Sequence, residues 1–518
     1  MEVVSGQRSA VSHVLFAALW IYFLFFHGLG KRDLWNSHEA RAAMDARSVL
    51  DGHQLLPELN DGTPELQKPP LYYWMVAAIA ALTGEVDAWA VRLPAAVSAV
   101  LCLVVVVWFG RTLGRRREGL TAAFLLATAL HFTWLARVGR IDMPLTLTTT
   151  AALASFYLAE NAKPRLPFLL IAYLSLGCSL LLKGPIGVVL VGAALGTYFL
   201  MERRWPRGLG LWWGAPLMLA IALPWFIVAD RATGGELGRV FFWHHNVERG
   251  LGGSSLRGHP WWFYGPRFFL DFAPWGLLLP PCLLWFFRNG RWREDRAARF
   301  GLAWLVGMTV LLSCVRYKRA DYLVPAYPGA ALFLACVLQK ALYQPDAPAR
   351  EDIPRWRVGL VCTTLMLVSA LGWWLRVDVY LPRFEPQREQ HCFAHLVLDL
   401  TPQTQSIVLF QMEGHLLAHH LGRPVRVLRD WHELDILPAP VHVVMPASQG
   451  KEWTAHLRQV ELEELARNIP GHEKPMVLFR LRPRSATTKG KSQDAVHARP
   501  AEPAADRQRA AQSRAAGR

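Results

Sequence analysis

The chain has 518 residues, 53% of them hydrophobic and only 19% charged, with 22 Trp, 25 Phe and a formal net charge of +16. A water-soluble protein of this length carries more charge and spreads it more evenly. Here short charged clusters separate apolar runs of about 18–20 residues, the length that crosses the hydrocarbon core of a bilayer, so a soluble globular protein is excluded and no nucleic-acid partner is needed to explain the basic balance.

The first apolar run reads as a span at 11–29; it lacks a small-residue cleavage site and ends at Lys31-Arg32, so no cleavable leader is expected. Residues 33–74 follow, dense in Asp, Glu, Arg and His and closing on Lys68-Pro69-Pro70 beside Tyr72-Tyr73-Trp74. A simple connection between membrane helices needs only a few polar residues, so this stretch reads as a folded loop at a membrane surface. The apolar segment 70–83 has fourteen residues, too few for a crossing, and reads as interfacial or re-entrant. Ten further spans are expected at 91–110, 119–136, 143–159, 166–182, 184–201, 209–229, 273–288, 299–315, 321–341 and 357–376. With eleven spans and the N-terminus inside, the connections at 111–118, 161–165, 202–207, 288–299 and 340–357 carry four, two, three, five and four Lys or Arg on the inner side, as the positive-inside rule requires. Counting 70–83 as a crossing would put most of them outside.

The outer face then receives 33–74, 137–142, 183–185, 230–271, 316–321 and everything after Arg376. Lys68, Arg137, Arg140, Lys183, Arg316, Lys318 and Arg319 gather there at helix ends, against the trend. A charge at the edge of hydrocarbon is costly enough to suggest function. One such cation alone is as well explained by snorkelling to headgroups; a convergent set reads as an anion site. Beyond the last span, 406–410, 425–429, 441–445 and 476–481 read as short strands, with 414–421 and 451–468 helical between them, making a small outer α/β domain to which no chemistry is assigned. Residues 484–518 form a basic tail of disordered composition. The seven cysteines, Cys102, Cys178, Cys282, Cys314, Cys336, Cys362 and Cys392, show no paired spacing and read as small apolar residues without a disulfide framework or metal motif.

Seven motifs follow in order: W-N-S-H-E-A-R from Trp35, Q-K-P-P-L-Y-Y-W from Gln67, V-R-L-P-A-A from Val91, R-I-D-M-P from Arg140, L-L-K-G-P-I-G from Leu181, F-F-W-H-H-N-V-E-R from Phe241 and Y-K-R-A-D-Y-L-V-P-A-Y-P from Tyr317. Together they resemble bacterial lipid-linked sugar glycosyltransferases related to aminoarabinose transferase and to protein O-mannosyltransferases, over about residues 10–376. The resemblance implies an all-α polytopic GT-C-like fold of about eleven transmembrane helices carrying the small α/β domain. It implies transfer of a sugar from a polyprenyl phosphate to a lipid, glycan or protein acceptor at the outer membrane face, with membrane lipids as the other partner. That chemistry needs a base or orienting group for the acceptor and cations for the departing phosphate. Lys and Arg supply the second without a metal, and no cofactor is expected.

The family's first-loop Asp-Glu pair reads His38-Glu39 in this chain. Three accounts stand: Glu39 is the base, His38 is the base, or activity is lost. An active enzyme in which both contribute is preferred, against a Glu39 that merely pairs with Arg41 or Arg47. Asp142 orients an Arg or touches the sugar, or else caps its helix with Pro144 in the first turn. Lys68, Lys183, Arg137, Arg140, Lys318 and Arg319 are the candidate phosphate contacts. Gln67, where the family often has an acid, weakens any case for a divalent metal. Tyr72, Asn246, Glu248, Arg249 and Tyr322 are candidates for the sugar or acceptor. An O-antigen ligase or polymerase would share the spans but place its long outer loop late in the chain. A transporter or flippase would show internal repeats and mid-span ionisable residues.

Overall fold

A computed structural model describes residues 12–484 apart from 13, 59–61, 162, 249–257, 343–354, 388–389, 413, 438–439, 450–456 and 469–471. The expected tail from 485 on therefore lies outside the described residues, as does Arg249. Most of the chain is helical, and the chain is a multi-pass membrane protein.

All eleven expected spans fall on helical segments, but they are not equal. Six described helices are long and apolar enough to cross a bilayer: Ala88–Thr112, Leu166–Lys183, Leu211–Ala232, Arg296–Cys314, Ala320–Leu342 and Trp356–Phe384. The count rises to eight if two bent pairs are each one span. Val14–Phe26 and Ile186–Met201 are shorter apolar helices. The Asp142–Asn161 helix is twenty residues long, and its threonines and polar ends dilute its apolarity. It packs among its neighbours with fifteen of its residues buried, so it need not be apolar all round. Leu71–Thr83 is a thirteen-residue helix stopped by Gly84 in the left-handed region.

One expected span is broken and another opens at a sharp bend. In 119–136, Thr128 returns its hydroxyl to the Phe124 carbonyl, the backbone extends at Ala129, and the flanking helices Arg116–Ala127 and Leu130–Ala136 diverge by 71°. At the start of the expected span 273–288, the helical pieces Trp261–Asp271 and Trp275–Phe287 meet at 109°. The breaks brace each other: Leu130 N–H donates to the Ala273 carbonyl (3.0 Å) and Trp275 Nε1 to Thr128 Oγ1 (2.8 Å). Elsewhere small residues let helices touch. A Cβ on Gly110 would lie 2.6 Å from the Gly119 Cα, so the Ala88–Thr112 helix and the next approach backbone to backbone.

After the last apolar helix comes a five-stranded sheet in the order β2-β1-β3-β5-β4, from β1 (Ile407–Phe410), β2 (Val425–Leu428), β3 (Val441–Pro446), β4 (Val460–Arg467) and β5 (Met476–Pro483). β1 runs parallel to β2 and β3, and β5 antiparallel to β3 and β4. The helical reading of 451–468 is corrected by β4. Its Glu- and Leu-rich sequence suits a helix locally, but Val460 and Leu462 alternate onto the core. Arg482 pairs with Glu463 across the strands (2.7 Å), and a register shift between Glu464 and Ala466 turns Leu465 and Ala466 toward the opposite face. The sheet rests on the first loop. Met44 of the Ser37–Leu50 helix enters the cluster of Phe393, Val397, Leu409 and Leu417, and His420 Nε2 meets Asp33 Oδ2 at 2.9 Å.

Candidate active site

The first loop folds because Asn36 caps a helix. Its side chain accepts from the backbone N–H groups of His38 and Glu39, both at 3.0 Å, and starts the Ser37–Leu50 helix. Consecutive helical residues point about 100° apart, and this separates His38 from Glu39. His38, Arg41 and Ala42 share a face and line a cavity of about 380 Å³. Glu39 turns into protein, where Arg92 donates to it through Nε (2.7 Å) and Nη2 (3.2 Å), Gly139 N–H at 2.9 Å and Trp35 N–H at 3.1 Å. It is 2% exposed. Burial pushes its carboxyl up, but Arg92 and these hydrogen bonds together hold it below the usual range. Glu39 therefore does not reach the cavity. Its partner is Arg92 of the V-R-L-P motif, not Arg41 or Arg47.

The cavity gathers charge from five segments. Lys68 enters beside Pro69, and among the described residues its ammonium has no ion-pair partner. Burial, and then the neighbouring Arg41, lower its pKa to about 8. Asp142, at the start of its helix, receives Lys183 Nζ (2.7 Å) and Arg140 Nε (3.1 Å). Lys183 reaches it because the Leu166–Lys183 helix stops at Gly184 (φ +73°), where a side chain would strike Phe241. Arg140 also contacts Asp321 at 2.6 Å. Arg319 Nη1 lies 3.2 Å from His38 Nε2. Arginine can only donate, so His38 is the acceptor and its imidazole is neutral. Burial, then Lys68, Arg140 and Arg319, push its pKa down to about 2. Tyr72 lines the wall with its hydroxyl donated to the Val91 carbonyl (2.8 Å), and the Tyr322 ring lies 4.5 Å from Lys183 Nζ.

Of the sequence-read candidates, His38, Lys68, Tyr72, Arg140, Asp142, Lys183, Arg319 and Tyr322 converge on this cavity. Arg137 and Lys318 do not. Arg137 is buried with its guanidinium on the Leu24 and His27 carbonyls, where it closes the end of the first apolar helix. Lys318 is buried on the His259 and Val315 carbonyls. Asn246 and Glu248 fall in the helical stretch Gly238–Glu248, and their side chains lie outside the described residues.

Sequence reading missed four contributors. Arg41 is fixed by Glu65 (3.0 Å) and by Gln67 Oε1 (2.7 Å). Asp321 sits behind Arg140 and Arg319. Tyr317 stands on the wall, and so does His415, which the C-terminal unit contributes. The Y-K-R-A-D-Y spacing marked Tyr317 and Asp321; His415 carried no signal. Behind the wall, Asp45 is fully buried, and burial with the neighbouring Glu65 pushes its carboxyl well up. Apolar residues also line the cavity, among them Leu145, Ile186, Leu190 and Leu312. Among the described residues no group of three His, Cys, Asp or Glu is placed to hold a metal ion.

Residues 67–228 match the family described as dolichyl-phosphate-mannose-protein mannosyltransferase. Over 465 residues, 88% of this chain and 80% of the relative, the chain is 27% identical to the undecaprenyl phosphate-alpha-4-amino-4-deoxy-L-arabinose arabinosyl transferase of Pseudomonas aeruginosa strain LESB58. It superposes on ArnT from Cupriavidus metallidurans, solved with undecaprenyl phosphate bound, with a TM-score of 0.74 and 20% identity, covering 90% of this chain and 97% of that one. The oligosaccharyltransferase AglB from Archaeoglobus fulgidus matches with a TM-score of 0.54 and 12% identity, over 86% and 70%. The chain has the fold of these membrane proteins.

Proposed function

We propose that the chain is an integral-membrane glycosyltransferase that moves a sugar from a polyprenyl-phosphate donor to a lipid, glycan or protein acceptor at the outer face of the membrane. The observation that carries this reading is a cavity whose lining joins cations, Lys68, Arg140, Lys183 and Arg319, to apolar residues, among them Leu145, Ile186, Leu190 and Leu312. A polyprenyl phosphate likewise joins an anion to hydrocarbon. As the bond from the sugar's anomeric carbon to the phosphate oxygen breaks, the phosphate takes the electron pair and gains a negative charge. Cations already in place favour that state over the ground state. The acceptor oxygen bonds to the anomeric carbon, and where the acceptor is a hydroxyl its proton passes to the departing phosphate, which has gained the negative charge to hold it. Asp142 orients Arg140 and Lys183, and burial together with Lys68, Arg140 and Arg319 keeps His38 neutral. The names of the relatives, which act on undecaprenyl-phosphate sugars, support the donor class. In the cell, loss of the chain makes one envelope molecule lighter by a sugar, seen by mass spectrometry, while its lipid-linked sugar accumulates. Unchanged envelope lipids, glycans and glycoproteins sink the reading.

Lys68→Ala weakens binding of undecaprenyl phosphate by about 1.5–3 kcal/mol, the worth of a charge-assisted contact, which is a tenfold or larger rise in Kd. Because the free lysine titrates at about 8, it is charged below that pH and loses its charge above it. Affinity therefore falls as pH rises through about 8, and Lys68→Arg removes this inflection. A flat profile in the wild type takes Lys68 off the phosphate.

The same proposal sets the N-terminus in the cytoplasm and the 33–74 loop with the C-terminal unit on the opposite side. It divides the chain into a catalytic membrane domain over 1–376, the α/β unit over 377–483 and the tail. In a background lacking the exposed Cys314 and Cys392, Asp51→Cys and Ser448→Cys both react with an impermeant reagent added outside. Reaction of only one of them overturns the arrangement.

A further inference from the structure

The polar wall of the cavity is rich in donors and poor in acceptors. Arg41, Lys68, Arg140, Lys183 and Arg319 line it, and Asp142 is the one carboxylate among the described residues that does so. Both Asp142 oxygens are engaged, Oδ1 by Lys183 and Oδ2 by Arg140. Gln67 Oε1 accepts from Arg41, and His38 Nε2 accepts from Arg319. Glu65 and Asp321 stand behind the wall and are spent on Arg41, Arg140 and Arg319. A phosphate neutralises part of this field and uses some of its donors. A sugar hydroxyl accepts as well as donates and can take what remains. An ammonium group only donates. In this cavity it meets an excess of cations over carboxylates and is repelled by them.

Resting on the glycosyltransferase reading above, we infer that the sugar on the donor carries no positive charge: the site takes a neutral sugar and rejects one with a free amino group. His38 matters here because it occupies a wall position where an acidic residue would add a carboxylate.

The test uses the full chain in detergent and measures Kd at pH 7 by competition against labelled undecaprenyl phosphate. The probes are undecaprenyl phosphate itself, its mannosyl ester, its 4-amino-4-deoxy-arabinosyl ester, and that last ester N-acetylated. The expected result is binding of the phosphate and of the mannosyl ester, with the amino ester weaker than its N-acetyl form by roughly tenfold or more. The N-acetyl pair keeps the sugar and removes its charge, so it separates electrostatics from shape. His38→Asp should shrink that ratio. Equal binding of the two arabinosyl esters, or preference for the free amine, overturns the inference while leaving the donor reading intact. Failure of undecaprenyl phosphate to bind at all overturns both. If His38→Asp does not fold, the wild-type ratio decides alone.

Discussion

Glu39→Ala lowers the free energy of unfolding by about 3–5 kcal/mol, the usual result of truncating one partner of a buried ion pair. Four hydrogen bonds converge on this carboxylate, from Arg92, Gly139 and Trp35, and Arg92 is 1% exposed. Its removal strands a guanidinium inside the protein and frees the segment leading into Arg140 from the first-loop helix. The expected role of Glu39 is therefore to position His38 and Arg140. Thermal unfolding of the purified protein should register the loss, and transfer should decline with the folded fraction. Glu39→Gln keeps the shape and one acceptor oxygen, so it should fall between wild type and alanine in both measurements. A Glu39→Gln protein with wild-type unfolding and donor affinity but no transfer would return the residue to the chemistry.

Asp142→Asn should divide binding from turnover. The cavity loses its one lining carboxylate among the described residues, so its cationic field grows and undecaprenyl phosphate binds at least as tightly as before. Arg140 and Lys183 lose the anchor that holds them at 3.1 and 2.7 Å. Transfer then slows by about a hundredfold, roughly 2.7 kcal/mol of transition-state stabilisation. Single-turnover kinetics with a saturating donor would separate the two effects. A raised KM with unchanged kcat would assign Asp142 to ground-state binding instead.

The sequence made the membrane class and most of the cavity legible through one physical signal. Lys68, Arg140, Lys183 and Arg319 are cations near the ends of apolar segments, and they converge on one cavity. The same signal named Arg137 and Lys318, because an end-of-helix cation that caps buried carbonyls looks identical in sequence to one that faces a ligand. Only tertiary packing distinguishes them. His38 and Glu39 pose the same problem at closer range: they are adjacent in the chain, yet one turns to the cavity and the other to Arg92, fifty-three residues away. Once Asn36 is recognised as the cap, the rotation of the helix follows, but its partner across the fold does not. β4 was missed for a related reason. Its Glu-Leu pattern has helical local preference, and only β5 beside it makes a strand.

The broken span and the bend also constrain how the chain can be made. The Leu130 N–H finds its acceptor in Ala273 and the Trp275 indole finds Thr128, about 145 residues apart in sequence. An unmet backbone group in lipid costs several kcal/mol, so the kink at Ala129 is incomplete when it leaves the ribosome. Four helices, Asp142–Asn161, Leu166–Lys183, Ile186–Met201 and Leu211–Ala232, must be made before its complement arrives. A chain released short of residue 273 would present the bilayer with an open seam at that kink, a defect that membrane quality control can recognise before any active site exists to be tested.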